Sequence, residues 1–135
     1  MTGKKRILVI DDDQDFLVSM RTLLESHGYD VVEADSGKQG LKKILEQRPD
    51  VILLDIMMET SVEGYSVNAA LKHRQEYKDF RNIPIIMVSS IESSPDDRFS
   101  PKMVGEVAMI TPDHYLTKPL DIPKFLELLT KIVEN

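Results

Sequence analysis

Cysteine is absent from the 135 residues, which removes disulfide frameworks, thiolate metal sites and thiol nucleophiles at once. No apolar run approaches the roughly 20 residues a helix needs to cross a bilayer. The basic start Lys4-Lys5-Arg6 leads only into Ile7 to Ile10, too short for a secretory signal core. A basic surplus is missing too: 17 Lys and Arg stand against 23 Asp and Glu, a formal net charge of −6. That balance argues against nonspecific binding to nucleic acid or anionic membrane. No internal repeat, heptad run or interdomain linker interrupts the chain. These absences predict one folded cytoplasmic domain over residues 1–135, with no direct nucleic-acid or membrane partner and no output domain. The length suffices for a core that needs neither crosslinks nor structural metal.

What the chain does contain is short apolar runs that end in polar groups. Val51-Ile52-Leu53-Leu54 is followed by Asp55, and Ile7-Leu8-Val9-Ile10 by Asp11-Asp12-Asp13. Runs of this length without polar alternation predict strands buried on both faces, as in a parallel sheet covered by helices. Asp30 to Ala34 predicts a shorter strand, Ile83 to Val88 another that ends in Ser89 and Ser90, and Tyr115 to Thr117 a fifth running into Lys118-Pro119.

Between these runs the spacing turns helical. Phe16, Leu17, Met20, Leu23 and Leu24 share one face, with Asp13 as N-cap and Gly28 as stop. Ser36 and Gln39 form a capping-box pattern before a helix with Leu41, Ile44 and Leu45 inward. A third helix is expected from Gly64, burying Val67, Ala70 and Leu71. The segment Glu92 to Ser100 predicts a loop, and Pro101 to Ile110 fits only a short helix weakened by Gly105. The last helix starts after Asp121 and carries Ile122, Phe125, Leu126, Leu129, Ile132 and Val133 on one face. Strictly alternating strands and helices predict right-handed crossovers. The expected fold is therefore α/β: a flavodoxin-like, doubly wound, five-stranded parallel sheet in the order 2-1-3-4-5. About five helices accompany it, the fourth of them atypical.

In that order the first and third strands are neighbours, so Asp11, Asp12 and Asp55 meet at the carboxyl edge, where such sheets bind ligands. Carboxylates packed this closely raise one another's pKa. A hard divalent cation relieves the conflict, and Mg²⁺, which keeps waters for a phosphoryl oxygen, suits it best. An ordinary solvated turn with a helix cap would explain the three aspartates alone; the fourth acid on a neighbouring strand end weighs against that. Lys118 adds a compact positive charge suited to an oxyanion. A cis bond at Pro119 is expected to aim it inward, although a lone Lys-Pro is usually a turn. The Ser89 hydroxyl is expected at the same edge. Nucleophilic carboxylate, metal clamp, cation and hydroxyl are together what phosphoryl transfer onto aspartate requires. No basic side chain in the set activates water, which favours a persistent acyl phosphate.

The residues that carry this chemistry resemble the receiver domains of two-component response regulators. The match runs through Ile7-Leu-Val-Ile-Asp11-Asp12-Asp13, Val51-Ile-Leu-Leu-Asp55-Ile-Met-Met, Gly64-Tyr65-Ser66-Val67, Pro84-Ile-Ile-Met-Val-Ser89 and Tyr115-Leu-Thr-Lys118-Pro119. Each motif is weak alone; five in order are specific. The resemblance implies that Asp55 accepts a phosphoryl group from a sensor histidine kinase or a histidine phosphotransfer protein. It implies Mg²⁺, with Mn²⁺ as a substitute, held directly by Asp12 and Asp55, through water by Asp11, and by the Met57 carbonyl. Ser89 and Lys118 would contact the phosphoryl group, and Tyr115 would swing inward, repacking the face made by the fourth helix, fifth strand and fifth helix. A new charge of about −1.5 to −2 would bias this two-state surface toward a downstream protein, as monomer or phosphorylation-dependent homodimer. On this reading the chain is no enzyme beyond catalysing its own phosphorylation and dephosphorylation. Asp13 is assigned the cap, not the metal.

Two departures from the family pattern stand out. Glu59 occupies the position where receivers commonly carry proline, and the following glycine falls one residue late, at Gly64, which lengthens the Glu59 to Glu63 loop. The segment between Ser89 and Lys118 is long and lacks the usual small residues. Apolar Met57 and Ile91, two residues beyond Asp55 and Ser89, point to slow loss of the phosphoryl group. The enzymatic alternative is a haloacid-dehalogenase-type phosphatase, yet Gln14 follows Asp11-x-Asp13 where a hydroxyl residue belongs. A flavodoxin needs a Ser/Thr/Gly-rich phosphate loop where this chain has acids. A receiver used only as a scaffold is the remaining alternative.

Overall fold

The computed structural model describes residues 4–55, 67, 70, 71, 73–90 and 114–134. Strands β1 (Arg6–Ile10), β2 (Asp30–Ala34), β3 (Val51–Asp55), β4 (Ile85–Ser90) and β5 (His114–Lys118) form one sheet. Their order is β2-β1-β3-β4-β5, and every neighbouring pair is parallel. Helices α1 (Gln14–Ser26), α2 (Gly37–Gln47) and the C-terminal α3 (Ile122–Glu134) connect or close these strands. Val67, Ala70, Leu71 and His73 are also helical, and Gln75–Phe80 form a short 3-10 helix. Among the described residues no helix is long and apolar enough to cross a membrane.

The continuous apolar runs divide between two cores because successive side chains on a strand face opposite ways. Ile7, Val9, Val51, Leu53, Ile86 and Val88 pack with Leu17, Met20 and Leu24 of α1 and Phe125 and Leu129 of α3. Leu8, Ile10, Ile52, Leu54, Ile85 and Met87 face Ile44 of α2 together with Val67, Ala70, Leu71 and Tyr77. Every residue of β3 is buried, which places Asp55 at the end of a fully enclosed strand.

Local chemistry sets the helix ends. The Asp13 carboxylate accepts from the Asp15 and Phe16 amides and starts α1. At the other end Gly28 adopts φ +86, while the Gly28 and Tyr29 amides donate to the Glu25 and Leu24 carbonyls, the left-handed stop that glycine favours. Ser36 caps α2 by accepting from the Gln39 amide at 3.1 Å. The Gln39 side chain reaches back to the Asp35 amide at 2.7 Å, one residue before the expected partner.

Three expectations need correction. β4 begins at Ile85 rather than Ile83: Pro84 has no amide hydrogen, and it joins the sheet only through its carbonyl, which accepts from Ile52. Leu45 is 45% exposed and Ile122 38% exposed, so neither belongs to the buried face assigned to its helix. Met57, Ile91, the start of the third helix at Gly64, the Glu59 to Glu63 loop and the whole Glu92 to Ile110 segment lie outside the described residues.

Candidate functional site

The register of the sheet assembles the acids. Ile10 of β1 pairs with Leu54 of β3, so the next residue on each strand, Asp11 and Asp55, comes out at the same edge. The Asp11 amide still donates to the Ala34 carbonyl of β2 at 3.0 Å, which holds its backbone in the sheet plane. Asp11 and Asp55 are 1% and 6% exposed, the two buried charged residues among those described. Asp12 is the most open of the three, and one carboxylate oxygen from each lies within 4.8 Å of the others.

Lys118 crosses to this cluster from β5. Two strand spacings, about 10 Å, separate β5 from β3, and the long lysine stem spans much of that gap. Its Nζ donates to Asp11 Oδ2 at 2.8 Å and stands 3.7 Å from Asp55 Oδ2. The other Asp11 oxygen accepts from the Asp13 amide at 2.9 Å. Asp11 is thus gripped at both oxygens, on one side by the turn that starts α1 and on the other by the lysine. The Lys118–Pro119 peptide bond is cis, as expected.

Electrostatics follow from this packing. Burial lowers the Lys118 ammonium's pKa, but the hydrogen bond to Asp11 and the charges of Asp55, Asp11 and Asp13 outweigh it, so the net shift is upward. Burial and the neighbouring Asp11 charge push Asp12 up, against the pull of its backbone hydrogen bond and of Lys118. The site is therefore overloaded with negative charge despite the lysine, and its hard oxygen donors fit a small divalent cation.

Ser89 is paired in register with Thr117, one step before Lys118. That places its backbone at the same edge; its side chain lies outside the description. Tyr115, paired with Met87, packs against the core on the α2 side of the sheet. Its hydroxyl is buried with no hydrogen-bond partner among the described residues, and burial pushes the phenol up to about 12. The ring is thus partly buried, with its hydroxyl shielded from solvent.

One neighbour escaped the sequence reading. The Lys118 Nζ sits over the Phe16 ring, 4.2 Å from its centroid. Helical spacing assigns Phe16 to the core face of α1, where it does pack partly buried. Its place three residues after Asp13, in the first turn of the helix, was the available signal.

A doubly wound parallel sheet with three carboxylates and a lysine at its carboxyl edge puts a hard-oxygen site where such sheets bind ligands. The model for the response regulator receiver domain matches residues 7–130, and the chain belongs to this family. Among curated relatives, the transcriptional regulatory protein PrrA of Mycobacterium tuberculosis is 37% identical over 114 residues, 84% of this chain and 43% of PrrA. The chain thus spans under half of PrrA's length. Protein PilG of Pseudomonas aeruginosa is 34% identical over 121 residues, covering 90% of this chain and 82% of PilG. Among solved structures, a CheY-like response regulator receiver domain protein from Methanospirillum hungatei superposes with a TM-score of 0.77 at 28% identity, covering 98% of this chain and 96% of that one. The chemotaxis protein CheY4 of Vibrio cholerae gives 0.76 at 25% identity, covering 96% and 99%.

Proposed function

We propose that Asp55 is the phosphoacceptor of a two-component phosphorelay, charged by a sensor histidine kinase or a histidine phosphotransfer protein. The observation that carries this reading is the meeting of Asp11, Asp12 and Asp55 within 4.8 Å, with the Lys118 ammonium 3.7 Å from Asp55. An Asp55 oxygen attacks the phosphorus of a phosphohistidine while the phosphorus–nitrogen bond breaks. The electron pair leaves on the imidazole, which then takes a proton from solvent. The loose transition state spreads negative charge over the equatorial oxygens, so positive charge at the edge matters more than acid–base chemistry.

Asp12 and Asp55 are the residues to hold Mg²⁺ directly, joined by the Met57 carbonyl. Asp11, with both oxygens already accepting hydrogen bonds, suits contact through water. When bound, the cation supplies charge neutralisation for the transferring phosphoryl oxygens. Lys118 then pairs with the phosphoryl group and Ser89 donates its hydroxyl. Tyr115 is the side chain through which the new charge would reach the surface of β5 and α3. A kinase that draws on ATP places this exchange in the cytoplasm, and the output is a downstream protein.

Intact mass after incubation with acetyl phosphate and Mg²⁺ tests the reading. Wild type should gain one phosphoryl group, and Asp55→Ala or a metal-free sample should not. An adduct that survives Asp55→Ala would assign the chemistry elsewhere.

A further inference from the structure

We propose that Phe16 is a positioning residue for Lys118: its ring face holds the ammonium at the Asp11–Asp55 edge and thereby sets how fast Asp55 is phosphorylated. The inference rests on the phosphoacceptor reading of Asp55 and extends it to a residue outside the acid cluster. Lys118 enters the site from β5 on a long flexible stem, and its side chain remains 23% exposed. Left to Asp11 and solvent, an ammonium on such a stem has several rotamers open to it. Among the described residues three contacts restrict it: Asp11 Oδ2 at 2.8 Å, Asp55 Oδ2 at 3.7 Å, and the Phe16 centroid at 4.2 Å. The ring distance is well inside the range at which an aromatic face attracts a cation.

Phe16 is itself fixed. It occupies the first turn of α1, its amide donates to the Asp13 cap at 3.4 Å, and its ring packs against the core beneath α1. The same Asp13 residue donates its amide to Asp11 Oδ1. One turn of backbone therefore orients both the carboxylate and the aromatic face that receive the lysine. When an anionic group arrives on Asp55, the ammonium can shift from Asp11 toward it while still resting over the ring. A carboxylate in place of the ring would compete with the phosphoryl oxygens for the lysine; an aromatic face attracts the ammonium without that competition.

The test replaces Phe16 with 4-fluoro-, 3,5-difluoro- and 3,4,5-trifluorophenylalanine, which keep ring size and apolar area while draining charge from the face. Phosphorylation is followed with acetyl phosphate and Mg²⁺: Asp55 gains the phosphorus–oxygen bond and acetate leaves with the electron pair. The rate at saturating donor should fall stepwise along the series, Phe16→Tyr should stay near wild type, and Phe16→Leu should lose about tenfold, the scale of one partly desolvated cation–π contact. A flat series, with wild type phosphorylated normally, overturns the proposal, because a purely structural ring would tolerate the fluorines. Absence of any adduct on wild type sinks the phosphoacceptor reading and the rate role with it. The contact is then judged separately by ¹³C-lysine NMR, with Lys118→Arg for assignment. The Lys118 ε-methylene protons should be shifted upfield by the ring in wild type and not in Phe16→Leu; equal shifts in both proteins reject it.

Discussion

Asp12 carries its charge at a disadvantage, since burial and the Asp11 carboxylate both raise its pKa. A folded-state value above the unfolded one means that the folded chain binds more protons. Stability then falls as pH rises through the carboxyl range and stays lower at neutral pH. Asp12→Asn should therefore raise the metal-free melting temperature at pH 7. Mg²⁺ should raise that of wild type, by the equivalent of about 2.7 kcal/mol at hundredfold excess over its dissociation constant, and do little for the variant. Scanning fluorimetry with and without Mg²⁺ checks both, and an equal metal response would remove Asp12 from the ligand set. Tyr115 gives the opposite end of the pH scale. With its phenol pushed up to about 12 by burial, the neutral form is favoured in the fold. That contribution is complete below the unfolded value of about 10 and is lost as pH climbs from there through the folded value. Tyr115→Phe should lose less stability across this window than wild type, and absorbance at 295 nm should show one high-pH tyrosine titration missing. Titration curves that coincide would place the raised phenol elsewhere.

At the scale of elements, α2 packs closely on the end of β1 through a glycine. A Cβ built on Gly40 would overlap Ile10 Cδ1 and fall 2.9 Å from Ile10 Cγ1. Alanine would gain about 1 kcal/mol of helix propensity, but overpacking of a buried site costs about 1 to 3 kcal/mol. Ile10 is β-branched, with few rotamers to escape into, so Gly40→Ala should be net destabilising in urea unfolding. Combining it with Ile10→Val should recover part of the loss; additive losses would mean that the two side chains do not meet. Because Ile10 directly precedes Asp11, this packing also bears on where the acid edge lies.

For the whole molecule, the two cores on either side of the sheet share the same strands. Leu53 and Leu54 are adjacent, 1% and 0% exposed, and point into opposite cores. Leu53→Ala and Leu54→Ala should each cost about 2 to 5 kcal/mol. That is a large share of the roughly 5 to 15 kcal/mol typical of folded domains. Because β3 belongs to both layers, each variant should still unfold in one transition, with circular dichroism and tyrosine emission superimposing. Separated transitions in either variant would show that the layers are independent units.

The continuous apolar runs and their terminal acids were legible in the chain itself, because a strand buried on both faces leaves no polar alternation and its end marks the crevice. The Asp13 cap and the Gly28 stop follow from such local rules, and the sheet order, with the acids and Lys118 at one edge, follows from the alternation of strands and helices. Tertiary structure decided what depends on neighbours. Helical period alone marks Leu45 and Ile122 as core residues, but the fold leaves both exposed. Tyr77, in a stretch with no strong period, is buried because the 3-10 helix turns it under α2's side of the sheet. Lys118 lies closer to Asp11 than to Asp55, and Phe16 meets the lysine instead of only the core. A residue 107 positions away in the chain cannot be placed to within an ångström by periodicity, since that distance is set by how five strands and their helices pack together.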